Sequence, residues 1–241
     1  MRFYEELRDK FKEILKDNSI DIDNETIIVK NIAIEEGIGK PDRDDYPILE
    51  GKEALVNGYF RNSVGQAYTD QNIYFKGNIK EVLELDLNEV YNLPIFIATM
   101  NSVLRELNYI LNTIHCKDEE PKICSKKILD KMKKLNPKKI LLVGLQPGIL
   151  SKISREFEVR VLDLNPKNIG TFKEGVFIED GKTKLKEGIE FADLILVTGS
   201  TVCNGSIIDF LDLDKEVYFY GTSIAGTSYI MDLNRLCFCS K

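Results

Sequence analysis

The stretch "KKILLVG" (138–144) is nearly all apolar between a lysine pair and a glycine. A short strand with no polar alternation is buried on both faces, the condition of a strand inside a parallel sheet covered by helices. Four more segments downstream repeat the pattern: "EVRVLDL" (158–164), "GVFIED" (175–180), "ADLILVTG" (192–199) and "EVYFYG" (216–221). Helical stretches separate several of them. This alternation predicts a Rossmann-like α/β domain with a mainly parallel sheet over residues 122–241.

Upstream the character differs. "MRFYEELRDKFKEILKDN" opens the chain as an amphipathic helix with Phe3, Leu7, Phe11, Ile14 and Leu15 on one face. "ETIIVKNIAIEEG" (25–37) reads as a strand. "EALVNGYFRNSVGQAYTD" (53–70) reads as one or two strands able to form a hairpin, with Gly58 and Gly65 as local irregularities. "GIGKPDRDDYP" between them is a polar loop. A long helix is expected over 94–112, opened by Pro94. Phe96, Met100, Val103, Leu107, Ile110 and Leu111 form its apolar stripe, and Asn101, Arg105, Asn108 and Asn112 a polar one. The expected division is an α+β domain over 1–112, a junction loop over 113–121 and the α/β domain over 122–241.

Composition narrows the function classes. The 241 residues are 43% hydrophobic and 30% charged, enough for one large or two small domains with a sizeable core. The net charge of −6 disfavours nucleic acid and anionic membrane surfaces as partners. The eight lysines of 122–139 flank Ile128, Met132 and Leu135 without interleaved aromatics, so they read as a solvated helix face. No run approaches the roughly 18 apolar residues of a membrane span. The charged first residues lack the apolar core of a signal peptide, which predicts a cytoplasmic protein. Five cysteines, an odd number, do not form a disulfide framework there.

Ligands of open parallel sheets collect beyond the carboxyl ends of the strands. Those ends read "GLQPG" (144–148), "DLNP" (163–166), "TGSTVCNGS" (198–206) and "GTSIAG" (221–226). They nominate Gly144, Asp163, Gly199, Ser200, Thr201 and Asn204 as ligand-binding residues, with backbone N–H groups facing a polar or anionic guest. The alternative is a set of ordinary turns and helix caps. "GLQPG" departs from G-x-G-x-x-G and Pro147 removes a donor, so a nucleotide cofactor is disfavoured. That holds although Asp163 stands 19 residues after Gly144, where a ribose-binding acid would lie.

A second candidate lies at the junction. "TIHCKDEEPKICSKKI" (113–128) carries the only histidine, two cysteines and three consecutive carboxylates before a proline. Pro121 starts a helix, and Cys124 on its first turn would be biased toward thiolate. His115, Cys116 and Cys124 therefore form a candidate site for a transition metal ion, with a fourth ligand from Cys203, from Cys237 and Cys239, or from water. His-Cys-x7-Cys is not a standard zinc spacing. Buried free cysteines and acids at a helix start also occur without any metal.

"TGSTVCNGSIIDFL", "LLVGLQP", "IATMNSVL" with Asn101-Ser102, and "HCKDEEP" resemble the motifs of a prokaryotic family described as heavy-metal chelation proteins. The resemblance implies an enolase-N-terminal-like domain followed by a Rossmann-like domain, and a metal role. Where that family has Gly-Pro-Ser after the last strand, this chain has Gly221, Thr222 and Ser223. Two functions compete. One is metal chelation or transfer in a cleft between the domains, with Asn101 on one wall. The other is an enzyme or sensor binding a small anionic or nucleotide-like molecule at the strand ends. No Ser-His-Asp or Cys-His-Asn triad can be assembled.

Overall fold

The structure is a computed structural model describing residues 2–50 and 53–241. The first half runs α1 (Arg2–Asp17), β1 (Thr26–Asn31), α2 (Ile34–Ile38), α3 (Pro47–Glu50), β2 (Ala54–Phe60), β3 (Ser63–Thr69), β4 (Tyr74–Asn78), α4 (Ile79–Leu83) and α5 (Asn92–Glu106). Its four strands form an antiparallel sheet in the order β3-β2-β1-β4. The hairpin expected over 53–70 is present, turning at Arg61 with a φ of +50°. Two readings need correction. The strand expected over 25–37 stops at Asn31, and 34–38 is helical. The helix expected over 94–112 ends at Glu106. There Asn108 takes a left-handed φ of +60°, its N–H bonds the Arg105 carbonyl, and the Tyr109 N–H reaches back to Leu104. This is a Schellman cap with asparagine in the place glycine usually holds. The polar stripe therefore has no continuous helix to run along.

The second half contains α6 (Glu120–Leu135), β5 (Lys139–Val143), α7 (Pro147–Ile153), β6 (Glu158–Asp163), β7 (Phe172–Lys173), β8 (Val176–Asp180), α8 (Gly181–Phe191) and β9 (Leu194–Thr198). It continues with α9 (Thr201–Asn204), β10 (Glu216–Tyr220), α10 (Ala225–Ile230) and β11 (Arg235–Leu236). The sheet order is β11-β10-β9-β5-β6-β8-β7, parallel except for the β7–β8 edge. Five of these strands had been read from their apolar runs. The order β10-β9-β5-β6-β8 doubles back at β5, which makes an open doubly wound sheet with its switch point between β5 and β9. Side chains alternate between two buried faces, as the period of two requires. Ile140, Leu142, Leu194 and Leu196 pack with Ile128 and Met132 of α6 and Ile149 of α7. Leu141, Ile195 and Val197 face the other way and join a core that includes Phe11 of α1 and Phe96 and Met100 of α5.

That second core runs unbroken from one half of the chain to the other. Its hinge element is α5, seated between the antiparallel sheet and α10. The seat is a cross-strand glycine pair, Gly58 opposite Gly65. A Cβ on Gly65 would stand 2.2 Å from the Ser102 nitrogen, and one on Gly58 2.6 Å from the Ala98 carbonyl oxygen. The two glycines read as irregularities are the notch that lets helix backbone lie on sheet backbone.

Candidate functional site

A cavity of about 200 Å³ opens where the two halves meet. One wall is the carboxyl end of the parallel sheet at its switch point, with Gly144, Asp163, Thr198, Ser200 and Tyr220. The facing wall comes from the first half, with Tyr46, Glu53, Leu55 and Tyr68. Glu53 stands just before β2, and Leu55 pairs with Tyr68 across the hairpin, so all three lie on one sheet face. His115 and Cys116 from the junction, Cys124 from α6 and Cys237 close one end. Apolar side chains including Ile38, Leu145 and Ile149 fill in between.

The thiol end is assembled from distant segments. Residues past β11 return to the junction, where the Ile114 N–H donates to the Lys241 carbonyl at 2.7 Å and the Lys241 N–H to Ile114 at 2.9 Å. The Arg105 guanidinium clasps the same carbonyl at 2.6 Å. This return brings Cys237 and Cys239 within electrostatic reach of Cys116 and Cys124. Backbone N–H groups of Phe238 and Cys239 donate to the Cys124 sulfur. Arg235 donates to Cys237, to the Gly221 carbonyl at 3.0 Å and to the Asn112 carbonyl at 2.6 Å. Burial still dominates at Cys124 and pushes its thiol up to about 11, against the thiolate expected from the helix start. Cys116 is pushed up further by the same cause. His115 is held below the usual imidazole range by burial, so it is neutral near pH 7. Its Nδ1 lies 2.6 Å from the Cys116 carbonyl, which makes Nδ1 the N–H donor and leaves the Nε2 lone pair free.

These groups constrain any metal. Among the described residues, no set of three or more His, Cys, Asp or Glu side chains is placed to hold a metal ion. A closed four-ligand zinc site does not fit. The donor chemistry present, the buried Cys116 thiol with half-buried Cys124 and Cys237 at one cavity end, fits a soft ion that two thiolates can hold.

The opposite end is acidic. Asp163 is 8% exposed, and its carboxylate accepts the Leu145 N–H at 2.7 Å and the Asn165 N–H at 2.6 Å. Glu53 accepts the Tyr68 hydroxyl, and burial raises its carboxyl above the ordinary range, with Asp163 and Asp70 adding to the rise. None of the described residues lining the cavity is a lysine or arginine.

Of the ligand-binding residues expected from sequence, Gly144, Asp163 and Ser200 line the cavity, and Asn101, Gly199, Thr201 and Asn204 lie outside it. Asn101 is fully buried. It donates to the Gln66 carbonyl at 2.8 Å and the Ser223 carbonyl at 3.1 Å, and accepts the Gly226 N–H at 2.7 Å. It ties the halves together rather than facing a guest. Of the amides after β9, Gly199 donates to the Tyr220 carbonyl at 2.6 Å, Val202 to Gly199 and Cys203 to Ser200. Thr201 donates to the Thr198 carbonyl, and Asn204 accepts the Ser206 N–H at 3.0 Å, as a cap. Cys203 is buried outside the cavity, beside Ser223 and the Tyr68 backbone. Cys237 and Cys239 lie past β11, not in a strand; Cys237 lines the cavity and Cys239 does not. Tyr46, Glu53 and Tyr68 were missed. Tyr46 sat in a stretch read only as a polar loop, and the other two in strands read only for pattern.

An α/β chain with a cleft between an antiparallel sheet and the switch point of a doubly wound sheet is the class defined so far. Residues 127–230 match the DUF364 family model, described as "Putative heavy-metal chelation", which agrees with the resemblance carried by the strand-end motifs. Two solved structures of that family, both of proteins of unknown function, match the chain, and the first is similar in fold. One, from Pyrococcus horikoshii, is 14% identical with a TM-score of 0.54, covering 90% of this chain and 79% of its own. The other, from Desulfitobacterium hafniense, is 14% identical with a TM-score of 0.49, covering 74% and 72%. No curated protein matches the chain. No helix among the described residues is long and apolar enough to cross a membrane.

Proposed function

We propose that the protein captures a soft metal ion as cargo at the thiol end of the cleft, bound by pairs drawn from Cys116, Cys124 and Cys237, with neutral His115 beside them. The observation that carries this reading is the convergence of thiols from the junction, α6 and the 237–239 segment on one end of one cavity. Ions such as Cu(I) or Hg(II) accept two thiolates, which suits a site lacking a third placed ligand. Because burial keeps the Cys116 and Cys124 thiols protonated, binding through them must displace their protons. Affinity for an ion held by these two thiols therefore rises with pH, and two protons are released. The family description points the same way. A reading as a small-anion site is weaker, since the described lining holds two carboxylates and neither lysine nor arginine.

The test is titration of reduced protein with Cu(I) against a competing chelator, with proton release followed in weak buffer. One ion per chain is expected. Cys124→Ser combined with Cys237→Ser should lower the affinity at least a hundredfold, while Cys203→Ser leaves it unchanged. Wild-type affinity in the double variant would overturn the proposal.

A further inference from the structure

The acid end of the cavity needs its own explanation, because the thiols do not use it. A carboxylate taken out of water is ordinarily matched by a cation or several hydrogen bonds. Asp163 has its two backbone amides. Glu53 has the Tyr68 hydroxyl, and the charged groups it feels are two further acids, Asp163 and Asp70. The buried cation nearby in the fold, Arg235, is committed to Gly221, Asn112 and Cys237. Among the described residues, the cavity thus presents acidic side chains and no cationic one.

An independent observation comes from the other wall. The Tyr46 hydroxyl is buried with no hydrogen-bond partner, in a residue only 6% exposed that lines the same cavity. Gly148 keeps the space beside it open: a Cβ there would come within 3.0 Å of that hydroxyl and 2.9 Å of the Ser125 Oγ. Ser125 is satisfied by the Pro121 carbonyl at 2.8 Å. The tyrosine is left waiting for a partner that no described residue supplies.

We infer that the cavity binds a small organic cation, an amine or amidine head placed against Glu53 and Asp163 on an apolar body, with a polar atom for Tyr46. A bare metal ion does not suit this end, since among the described residues no third ligating side chain joins the two acids. The walls between the acids and Tyr46 are apolar, with Leu55, Leu145 and Ile149, and match a carbon skeleton. Charge selects the head group, because an anionic or neutral head brings no cation to the two carboxylates. This inference goes beyond the metal reading and does not depend on it.

Benzamidine, benzamide and benzoate carry the same ring with a positive, neutral and negative head. Binding of each to the reduced protein is measured by calorimetry near neutral pH, with a two-dimensional NMR spectrum of each variant as the check on folding. Benzamidine is expected to bind one site per chain, benzamide at least tenfold more weakly, and benzoate not at all. Glu53→Gln should weaken benzamidine at least tenfold. Tyr68→Phe, which keeps the carboxylate but removes its donor, should weaken it less. Cys124→Ser should leave benzamidine binding intact while lowering Cu(I) affinity, so that the two readings fail separately. Absence of benzamidine binding, equal binding of benzoate, or indifference to Glu53→Gln in a folded variant would each overturn the inference.

Discussion

Asn101, fully buried, and Glu53, half-buried, are polar side chains where the two sheets meet, and they end in opposite conditions. Asn101 accepts one N–H and donates to carbonyls on both sides of the boundary, so its amide is fully used. Glu53 has one hydroxyl donor and two acids for neighbours. The first arrangement is glue: it closes hydrogen bonds that burial would otherwise leave open. The second leaves an imbalance that no described residue of the chain corrects. Function at this boundary is read from what remains unsatisfied after the fold has formed, and polarity alone does not distinguish the two cases.

The largest expected effect lies on the glue side. Asn101→Ala strands the Gln66 and Ser223 carbonyls and the Gly226 N–H in a fully buried setting. At about 1–3 kcal/mol for each buried group left unpaired, the loss should reach ~3 kcal/mol or more, a fall in Tm of roughly 6–12 °C for a chain of this size. Scanning calorimetry checks it. A loss below about 1 kcal/mol would mean that water enters and replaces the amide, and the two regions would differ less than stated.

Gly65→Ala comes next. Its Cβ would meet the Asn101 carbonyl carbon at 2.5 Å and the Ser102 nitrogen at 2.2 Å, both backbone and neither able to rotate away. Lifting α5 off the sheet should cost about 1–3 kcal/mol by urea denaturation. Because α5 also carries Asn101, the variant should couple with Asn101→Ala, the two costs summing to more than the double variant loses. Strict additivity would show that the seat and the clamp are independent.

The contrast explains what was legible in the sequence. β5, β6, β8, β9 and β10 were visible because a strand buried on both faces has to be apolar throughout, a property of consecutive residues. The start of α6 was visible for a similar reason, since Pro121 is local punctuation. The early end of α5 was not, because the Schellman cap depends on Asn108 adopting a left-handed conformation that the apolar pattern through Leu111 argues against. At the site, Gly144, Asp163 and Ser200 followed from the rule about strand ends, and His115, Cys116 and Cys124 from their composition. Cys237 joins them through backbone pairing between Lys241 and Ile114, a contact no local pattern encodes. Glu53, Tyr68 and Tyr46 stayed hidden because what marks them is a missing partner.

A smaller effect of opposite sign is expected at Glu53. Its carboxyl is raised in the folded chain, chiefly by burial, so folding favours the protonated form. The cost is absent below the ordinary glutamate value of about 4.3, grows as pH rises through the folded value, and is fully present above it. Glu53→Gln removes a charge and keeps the shape, so it should stabilise the unliganded protein at neutral pH and make no difference near pH 4. Melting curves across that range check the sign. A variant less stable than wild type at neutral pH would show that Glu53 already has a cationic partner in solution, and the contrast with Asn101 would collapse.

The smallest effect sharpens the comparison most, because it uses one atom. Tyr220 and Tyr46 both line the cavity, and burial holds both hydroxyls above their ordinary range, Tyr46 at about 12. The Tyr220 hydroxyl donates to the Gly144 carbonyl at 2.7 Å, whereas the Tyr46 hydroxyl has no partner. Replacing tyrosine by phenylalanine deletes the same oxygen in each case. At Tyr220 it breaks a hydrogen bond and orphans a carbonyl, a loss of about 1–2 kcal/mol. At Tyr46 it removes an oxygen desolvated without compensation, so the variant should match or exceed wild type by up to ~1 kcal/mol. Parallel urea denaturation of the two variants compares them directly. Equal losses would mean that the Tyr46 hydroxyl finds a partner in the unliganded protein, and the case for a guest at that wall would lose its independent support.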